Sequence, residues 1–156
     1  RRIADALFSS GSLEEAGPMY EWLIDVVSQK NKRDKSLAHY STRLARVSLH
    51  RGDEAAALTQ FEASFKIDST SVETMIYLGQ AYERAARWAD ALKIYRTMLL
   101  QNADQSGLLR RGDIYERLAA AHIGLGEKPK AQAMLRRGIE EDPEHPGLSA
   151  TLSTLN

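Results

Sequence analysis

The 156-residue chain has no cysteine, only four prolines, 7% aromatic residues and no surplus of charge of either sign. Without cysteine it is neither a disulfide-stapled secreted domain nor a cysteine-ligated zinc module. With 21 basic residues against 21 acidic, it lacks the cationic excess that drives adhesion to nucleic acid or anionic membrane. No window approaches the roughly 18 apolar residues of a membrane span. The sequence opens on Arg1 with no apolar signal core behind it, and is expected to be a fragment of a longer protein. The compartment stays open: the cytoplasm is favoured and a bacterial periplasm is compatible. What is present is a composition of 43% hydrophobic and 27% charged residues, too apolar for a disordered chain.

The apolar residues recur. A small residue followed four later by a large one appears as Ala16–Tyr20, Ala57–Phe61, Ala91–Tyr95 and Ala131–Leu135, at steps of 41, 34 and 40 residues. Thirteen residues before each Ala stands a second anchor: Ile3-Ala4, Leu44-Ala45, Leu78-Gly79 and Leu118-Ala119. Within the third unit, Met75, Leu78, Gly79 and Tyr82 fall on one face of a helix. After a break at Ala85-Ala86-Arg87, Trp88, Ala91, Leu92, Tyr95 and Leu99 fall on one face of another. Small Gly79 and Ala91 let two antiparallel helices approach, and Tyr82 and Tyr95 fill the space beside them.

Punctuation agrees with helix pairs. Ser12 with Glu15 and Thr70 with Glu73 have the form of capping boxes. Asp53 is a natural N-cap after Gly52, and Gly126 divides the fourth pair. Pro129 fits a first helical turn, Pro143 ends that helix and Pro146 opens the next. Gly17-Pro18 either kinks the second helix or marks its start; the register of Ala16 and Tyr20 favours a kink.

On these residues the chain resembles the tetratricopeptide repeat family, whose 34-residue unit pairs Leu-Gly or Leu-Ala in a first helix with Ala and an aromatic in a second. The third unit carries Leu78, Gly79, Tyr82, Trp88, Ala91 and Tyr95. The fourth carries Leu118, Ala119, Gly126, Ala131 and Pro143; the second, Leu44, Ala45, Gly52, Ala57 and Phe61; the first, Gly11, Ala16 and Tyr20. Ser48 and His122 depart from the usual first-helix aromatic, Leu135 from the second-helix aromatic, and Ser69 and Ala103 from the closing Pro. The resemblance implies an all-α, right-handed superhelical solenoid of antiparallel helix pairs, about four repeats plus a C-terminal helix, in one domain spanning 1–156. The expected units are 1–30 (truncated), 38–71, 72–105, 112–145 and a terminal helix over 146–156. A lone hairpin cannot bury its apolar face, so neighbours share a core.

The resemblance further implies a concave face lined by first helices that binds a protein or peptide, without catalysis or cofactor. The positions carried over are His39, Thr42, Arg43, Arg46 and His50 in the second unit; Glu73, Ile76, Tyr77, Gln80 and Arg84 in the third; and Asp113, Glu116, Arg117 and Ala120 in the fourth. Arg1 and Asp5 are all the first unit offers. Family members that clamp a terminal carboxylate use Lys and Asn at set positions; Arg43, Tyr77 and Asp5 stand at three of them, which argues against that specificity. Arg43, Arg46, Arg84 and Arg117 suit a partner with acidic residues, unless they are solvated and paired with Glu73, Glu83 and Glu116. Tyr77 is a candidate anchor. Self-assembly through solenoid ends or a convex face is the alternative function.

Two insertions lengthen the array. The first, 31–37, with Lys32, Arg33 and Lys35, reads as a solvated linker. The second, 106–111, is expected to extend the following helix backward, with Leu108 and Leu109 packing on the preceding repeat. Glu140, Glu141, Asp142, Glu144 and His145 suggest a metal site on paper and a solvated helix end in practice. His122 reads as a packed core histidine. Gly124-Leu125-Gly126 lacks the further glycine and strand of a phosphate loop. No zinc-type His-Glu helix, phosphate loop or nucleophile elbow occurs, so no catalytic or metal residue is assigned.

Overall fold

The computed structural model describes residues 1–155 and is all-helical among them. It divides into two compact units, Arg1–Thr74 and Met75–Asn156. The first unit holds α1 (Arg2–Ser9), α2 (Leu13–Lys30), α3 (Ser36–His50), α4 (Glu54–Ile67) and the first turn of α5 (Val72–Arg84). The second holds the rest of α5, then α6 (Trp88–Leu100), a 3-10 helix (Ala103–Ser106), α7 (Arg111–Gly124), α8 (Lys128–Glu141) and α9 (Leu148–Thr154). Asn156, placed by the sequence at the end of the terminal helix, lies outside the described residues.

One turn is built four times. Three residues join α1 to α2, α3 to α4, α5 to α6 and α7 to α8, and the middle one is left-handed: Gly11, Gly52, Ala86 and Gly126, at φ +84°, +79°, +54° and +74°. In each turn that residue's N–H donates to the carbonyl three back, and the next N–H to the carbonyl five back. In the second turn these are Gly52 to Leu49 and Asp53 to Ser48; in the third, Ala86 to Glu83 and Arg87 to Tyr82. This double bond pattern closes the end of a helix by satisfying carbonyls that would otherwise be orphaned. Asp53 then caps α4 by accepting from Ala56 N–H at 2.9 Å.

The small–large pairs are core. Ala16, Ala57, Ala91 and Ala131 are fully buried, as are Tyr20, Phe61, Tyr95 and Leu135. In the first unit Phe8, Tyr20, Leu23, Tyr40, Leu44 and Val47 form one cluster with Ala4 and Ala16. Tyr20 meets Phe8 edge-on with ring centroids 6.1 Å apart. In the second unit a Cβ on Gly79 would lie 2.4 Å from the Tyr95 ring, and one on Gly124 would lie 2.2 Å from Trp88. Both glycines are there to admit an aromatic, as the sequence implies for Gly79. Leu148 of α9 packs against Gly138 of α8 and is fully buried.

A polar knot crosses the first unit. Thr42 of α3, Ser64 of α4 and Thr74 of α5 are buried and joined by their hydroxyls, Thr42 lying 2.8 Å from each of the other two. Ser64 donates onward to the Ala38 carbonyl at 2.8 Å, and Thr74 to Ser71 Oγ at 2.9 Å. Among the described residues no buried side-chain polar atom lacks a partner, as close packing in a low-dielectric interior requires.

Several local expectations are corrected. Thr70 is not the cap of α5: its hydroxyl and N–H both turn back to Asp68 Oδ1, and Ser71 Oγ accepts the Thr74 N–H instead. Ser12 occupies the N-cap of α2 but makes no side-chain capping bond. Pro18 sits inside α2, as the register of Ala16 and Tyr20 favours over a helix start there. Pro146 precedes Gly147, the N-cap of α9. The 106–111 insertion does not lengthen α7, which starts at Arg111. Asn102 and Gly107, both left-handed, bound the short 3-10 helix, and an extended Arg110 precedes α7. The Arg110 N–H donates to Asp113 Oδ2 at 2.6 Å, closing the first turn of α7 and ending any backward extension.

Candidate partner-binding site

The first-helix residues singled out from the sequence sort into engaged and surface groups. Thr42 is 2% exposed and bound into the hydroxyl knot. His39 is half-buried; its Nε2 lies 2.9 Å from Asp5 Oδ1, which also accepts the Tyr20 phenol at 2.9 Å. Burial raises the Asp5 carboxyl, but its bonds to His39 and Tyr20 outweigh that and hold it below the ordinary carboxylate range. The same burial, with the Asp5 bond, pushes the Tyr20 phenol well up.

Arg43 and Arg46 stack on one ring. Their guanidinium carbons lie 4.5 and 4.6 Å from the Phe8 centroid. Both reach Glu73, at 3.5 and 2.9 Å. They thereby shield Phe8 and carry a charged rim over the first unit's core. His50 is exposed at the end of α3, and Arg84 at the end of α5. Tyr77 and Ala120 are half-buried.

In the second unit, five of the expected residues meet, Ile76 among them. Gln80, Asp113, Glu116 and Arg117 border a cavity of about 230 Å³ between α5 and α7. Ile76, Met98 and Ile114 give it an apolar lining, and Leu108 and Leu109 of the insertion close one side. Arg117 is spoken for: it reaches Glu83 at 3.0 Å, and that carboxylate also accepts the Tyr95 phenol at 2.8 Å. Burial first, then Glu83, pushes the Tyr95 phenol up. The mouth is therefore dominated by Asp113 and Glu116. The sequence flagged Leu108 and Leu109 only as packing residues; the length of the insertion was the signal that they shape a cavity.

Asp113, Glu116 and His145 place ligand-type atoms within 4.8 Å of one another. His145 is not the solvated residue expected: it is 8% exposed. The Gly147 N–H donates to its Nδ1 at 3.3 Å, which puts the ring proton on Nε2, 2.9 Å from Asp113 Oδ1. The nitrogen facing the carboxylates is thus a donor rather than a metal-ready lone pair. The group ties the start of α7 to the segment after α8. Asp142 does the same, accepting from Arg110 and from the Gly112 N–H. His122 is packed as expected, with Nδ1 2.6 Å from Glu127 Oε2.

The other side of α7 carries no spacing that marks it in the sequence. Residues 113, 116 and 117 share one helical face, and 111, 115, 118 and 122 the opposite one. On that opposite face, with α6 and α8, lies a cleft of about 390 Å³. Arg111 and Arg137 at its edge both bind Glu141, which also accepts the Tyr115 phenol at 2.7 Å. The phenol first, then the two guanidiniums, pull the Glu141 carboxyl down to about 2. No helix of the described residues is long and apolar enough to cross a membrane.

No protein-family model matches the sequence, and no curated protein matches it. Solved structures match its fold. A MamA chain, residues 41 to the end, from Desulfovibrio magneticus RS-1 superposes with a TM-score of 0.76 at 20% identity, covering 100% of this chain and 81% of that one. The nearly identical TPR-like repeats of a Podosopora anserina putative kinesin light chain give 0.72 at 19% identity, covering 99% and 82%. The first TPR domain of human RPAP3 gives 0.62 at 16% identity, covering 78% and 91%. The repeated turns, the small–large pairs and these superpositions agree that the chain has a tetratricopeptide-repeat-like solenoid fold.

Proposed function

We propose that the chain is an interaction module that holds a partner protein or extended peptide against its first helices and performs no chemistry of its own. The observation that supports this best is the α5–α7 cavity. It collects Gln80, Asp113, Glu116 and Arg117 around an apolar lining, the combination by which surfaces seat an anchoring side chain. At about 230 Å³ it falls below the roughly 300–1,000 Å³ of small-molecule pockets, which suits one side chain better than a cofactor. On α3, Arg43 and Arg46 offer guanidiniums to an acidic partner residue; on α7, Asp113 and Glu116 favour a neutral or basic one.

The test is a photo-crosslinkable residue at Gln80 or Glu116 in the full-length protein, with the same probe at exposed Lys93 of α6 as control. Crosslinks from the two cavity positions, lost on Ile114→Lys but not from a folded Lys93 probe, are the expected result. Equal yields from all three positions would remove the groove reading.

Self-assembly is the second reading. Met19 and Trp22 lie on one face of α2 and are exposed, Trp22 by 62%. Analytical ultracentrifugation across a concentration series decides it: a monomer throughout, unchanged by Trp22→Ser, would rule it out.

A further inference from the structure

We infer that the cleft between α6 and α8 is a second docking site, on the opposite face of α7 from the groove, for a partner peptide in which an aspartate or glutamate adjoins an apolar side chain. The cleft floor is apolar: Leu99 of α6, Leu118 and the Tyr115 ring of α7, and Met134 of α8. At about 390 Å³ it is roomier than the groove cavity. Leu100, at the end of α6, stands 84% exposed at its edge, more open than any other large apolar side chain among the described residues. An aliphatic group held in water beside an apolar hollow gains by being covered, at roughly 25 cal/mol per Å² of apolar surface removed from solvent.

The edge of the cleft decides what covers it. Three arginines line it, Arg96, Arg111 and Arg137, and no acidic side chain does. Arg111 and Arg137 are fixed in direction by their shared partner Glu141, and Arg111 also reaches Asp104 at 3.2 Å. Arg96 is exposed and has no ion-pair partner among the described residues. Glu141 and Asp104 answer the charge of Arg111 and Arg137 and hold them in place, so Arg96 is the uncommitted positive charge at the mouth of the apolar floor. A carboxylate accepts a guanidinium fork in two parallel bonds, which sets orientation as well as affinity. A lone anion leaves the floor bare, and an apolar residue without a carboxylate leaves Arg96 unused; an acidic–apolar pair on one peptide satisfies both.

The experiment uses the whole chain and three fluorescein-labelled octapeptides that share flanking Gly and Ser residues. Their central four residues are Glu-Leu-Glu-Leu, Lys-Leu-Lys-Leu and Glu-Ser-Glu-Ser. Fluorescence anisotropy reads binding. The first peptide binds and the other two do not. Arg96→Glu weakens it by about tenfold or more, as expected when a charge-assisted hydrogen bond is replaced by like-charge repulsion. Arg96 is solvent-exposed, so the variant keeps the wild-type circular dichroism; Leu100→Ser supplies an independent, milder loss. Lys30→Glu, the same charge reversal at an exposed position in the first unit, leaves the affinity unchanged. Failure of the Glu-Leu-Glu-Leu peptide to bind, binding that ignores Arg96→Glu, or equal binding of the Glu-Ser-Glu-Ser peptide overturns the inference. So does binding that Lys30→Glu weakens as much as Arg96→Glu, which makes the attraction one of bulk charge and not of the cleft. The groove reading stands or falls separately, on its own crosslinks.

Discussion

Ala86 stands where three sister turns have glycine, and replacing it should stabilise the protein. Its φ of +54° is left-handed, whereas Gly11, Gly52 and Gly126 meet the same demand without a Cβ. The left-handed conformation costs an L-residue about 1–2 kcal/mol. Glycine adds back freedom to the unfolded chain worth about 0.4–1 kcal/mol. Ala86→Gly should therefore gain about 0.5–1 kcal/mol, and about 2–4 °C in Tm per kcal/mol for a chain of this size. Gly52→Ala is the mirror experiment. A Cβ there would meet nothing within 4 Å, so its cost is conformational alone, and it should lose about what Ala86→Gly gains. The two turns share no partner, so the double variant should return close to wild type. Urea unfolding followed by circular dichroism measures all three, and an unchanged m-value keeps the comparison on stability. If Ala86→Gly destabilises, or if Gly52→Ala costs nothing, the left-handed residue is not what these turns select for.

Three further outcomes follow from the packing and the charges. Gly79→Ala drives a methyl to 2.4 Å from a Tyr95 ring whose phenol is tied to Glu83; overpacking of about 1–3 kcal/mol exceeds the helix-propensity gain of about 0.5–1 kcal/mol, so urea unfolding should show a net loss, relieved in the Tyr95→Leu background. Glu141 titrates from 4.5 down to about 2 through its bonds to Tyr115, Arg111 and Arg137; a depressed carboxyl stabilises above its unfolded pKa and loses that contribution as the pH falls through the folded one, so thermal stability should drop between about pH 4.5 and 2, and Glu141→Gln should flatten that drop. Thr42→Val removes the hydroxyl shared by Ser64 and Thr74 and should cost about 1–3 kcal/mol in the same unfolding assay, whereas Thr59→Val, whose exposed hydroxyl bonds only to a helix carbonyl, should cost little.

The fold was legible because it repeats. Four copies of one small–large spacing outvote any single odd residue, and Gly52, Gly79 and Gly126 do in space what their spacing says. What the sequence hid lies where the repeat breaks. The 106–111 segment reads as apolar and helical, yet a left-handed Gly107 closes the short 3-10 helix before it and an extended Arg110 precedes α7, so Leu108 and Leu109 line a cavity instead of extending α7. Cap positions slip by one because Asp68 takes Thr70 for its own turn and leaves Ser71 to serve α5. Among the surface residues, periodicity gives the face and not the bonds. Thr42 and Arg43 are neighbours in the same expected face, but one is sealed in the hydroxyl knot and the other lies over Phe8. Periodicity is blind to the α6–α8 cleft because its arginines, 96, 111 and 137, come from three helices and share no local spacing.

The knot of Thr42, Ser64 and Thr74 also constrains how this sequence can drift. Ser64 and Thr74 direct their protons to the Ala38 carbonyl and to Ser71, so Thr42 is the donor left within the knot, and the three hydroxyls come from three different helices. Replacing one strands its neighbours, while replacing all with apolar groups of matching shape removes the debt altogether. Single steps therefore run uphill between two level states. The three positions should change together or not at all, as a small block of epistasis within the repeat array.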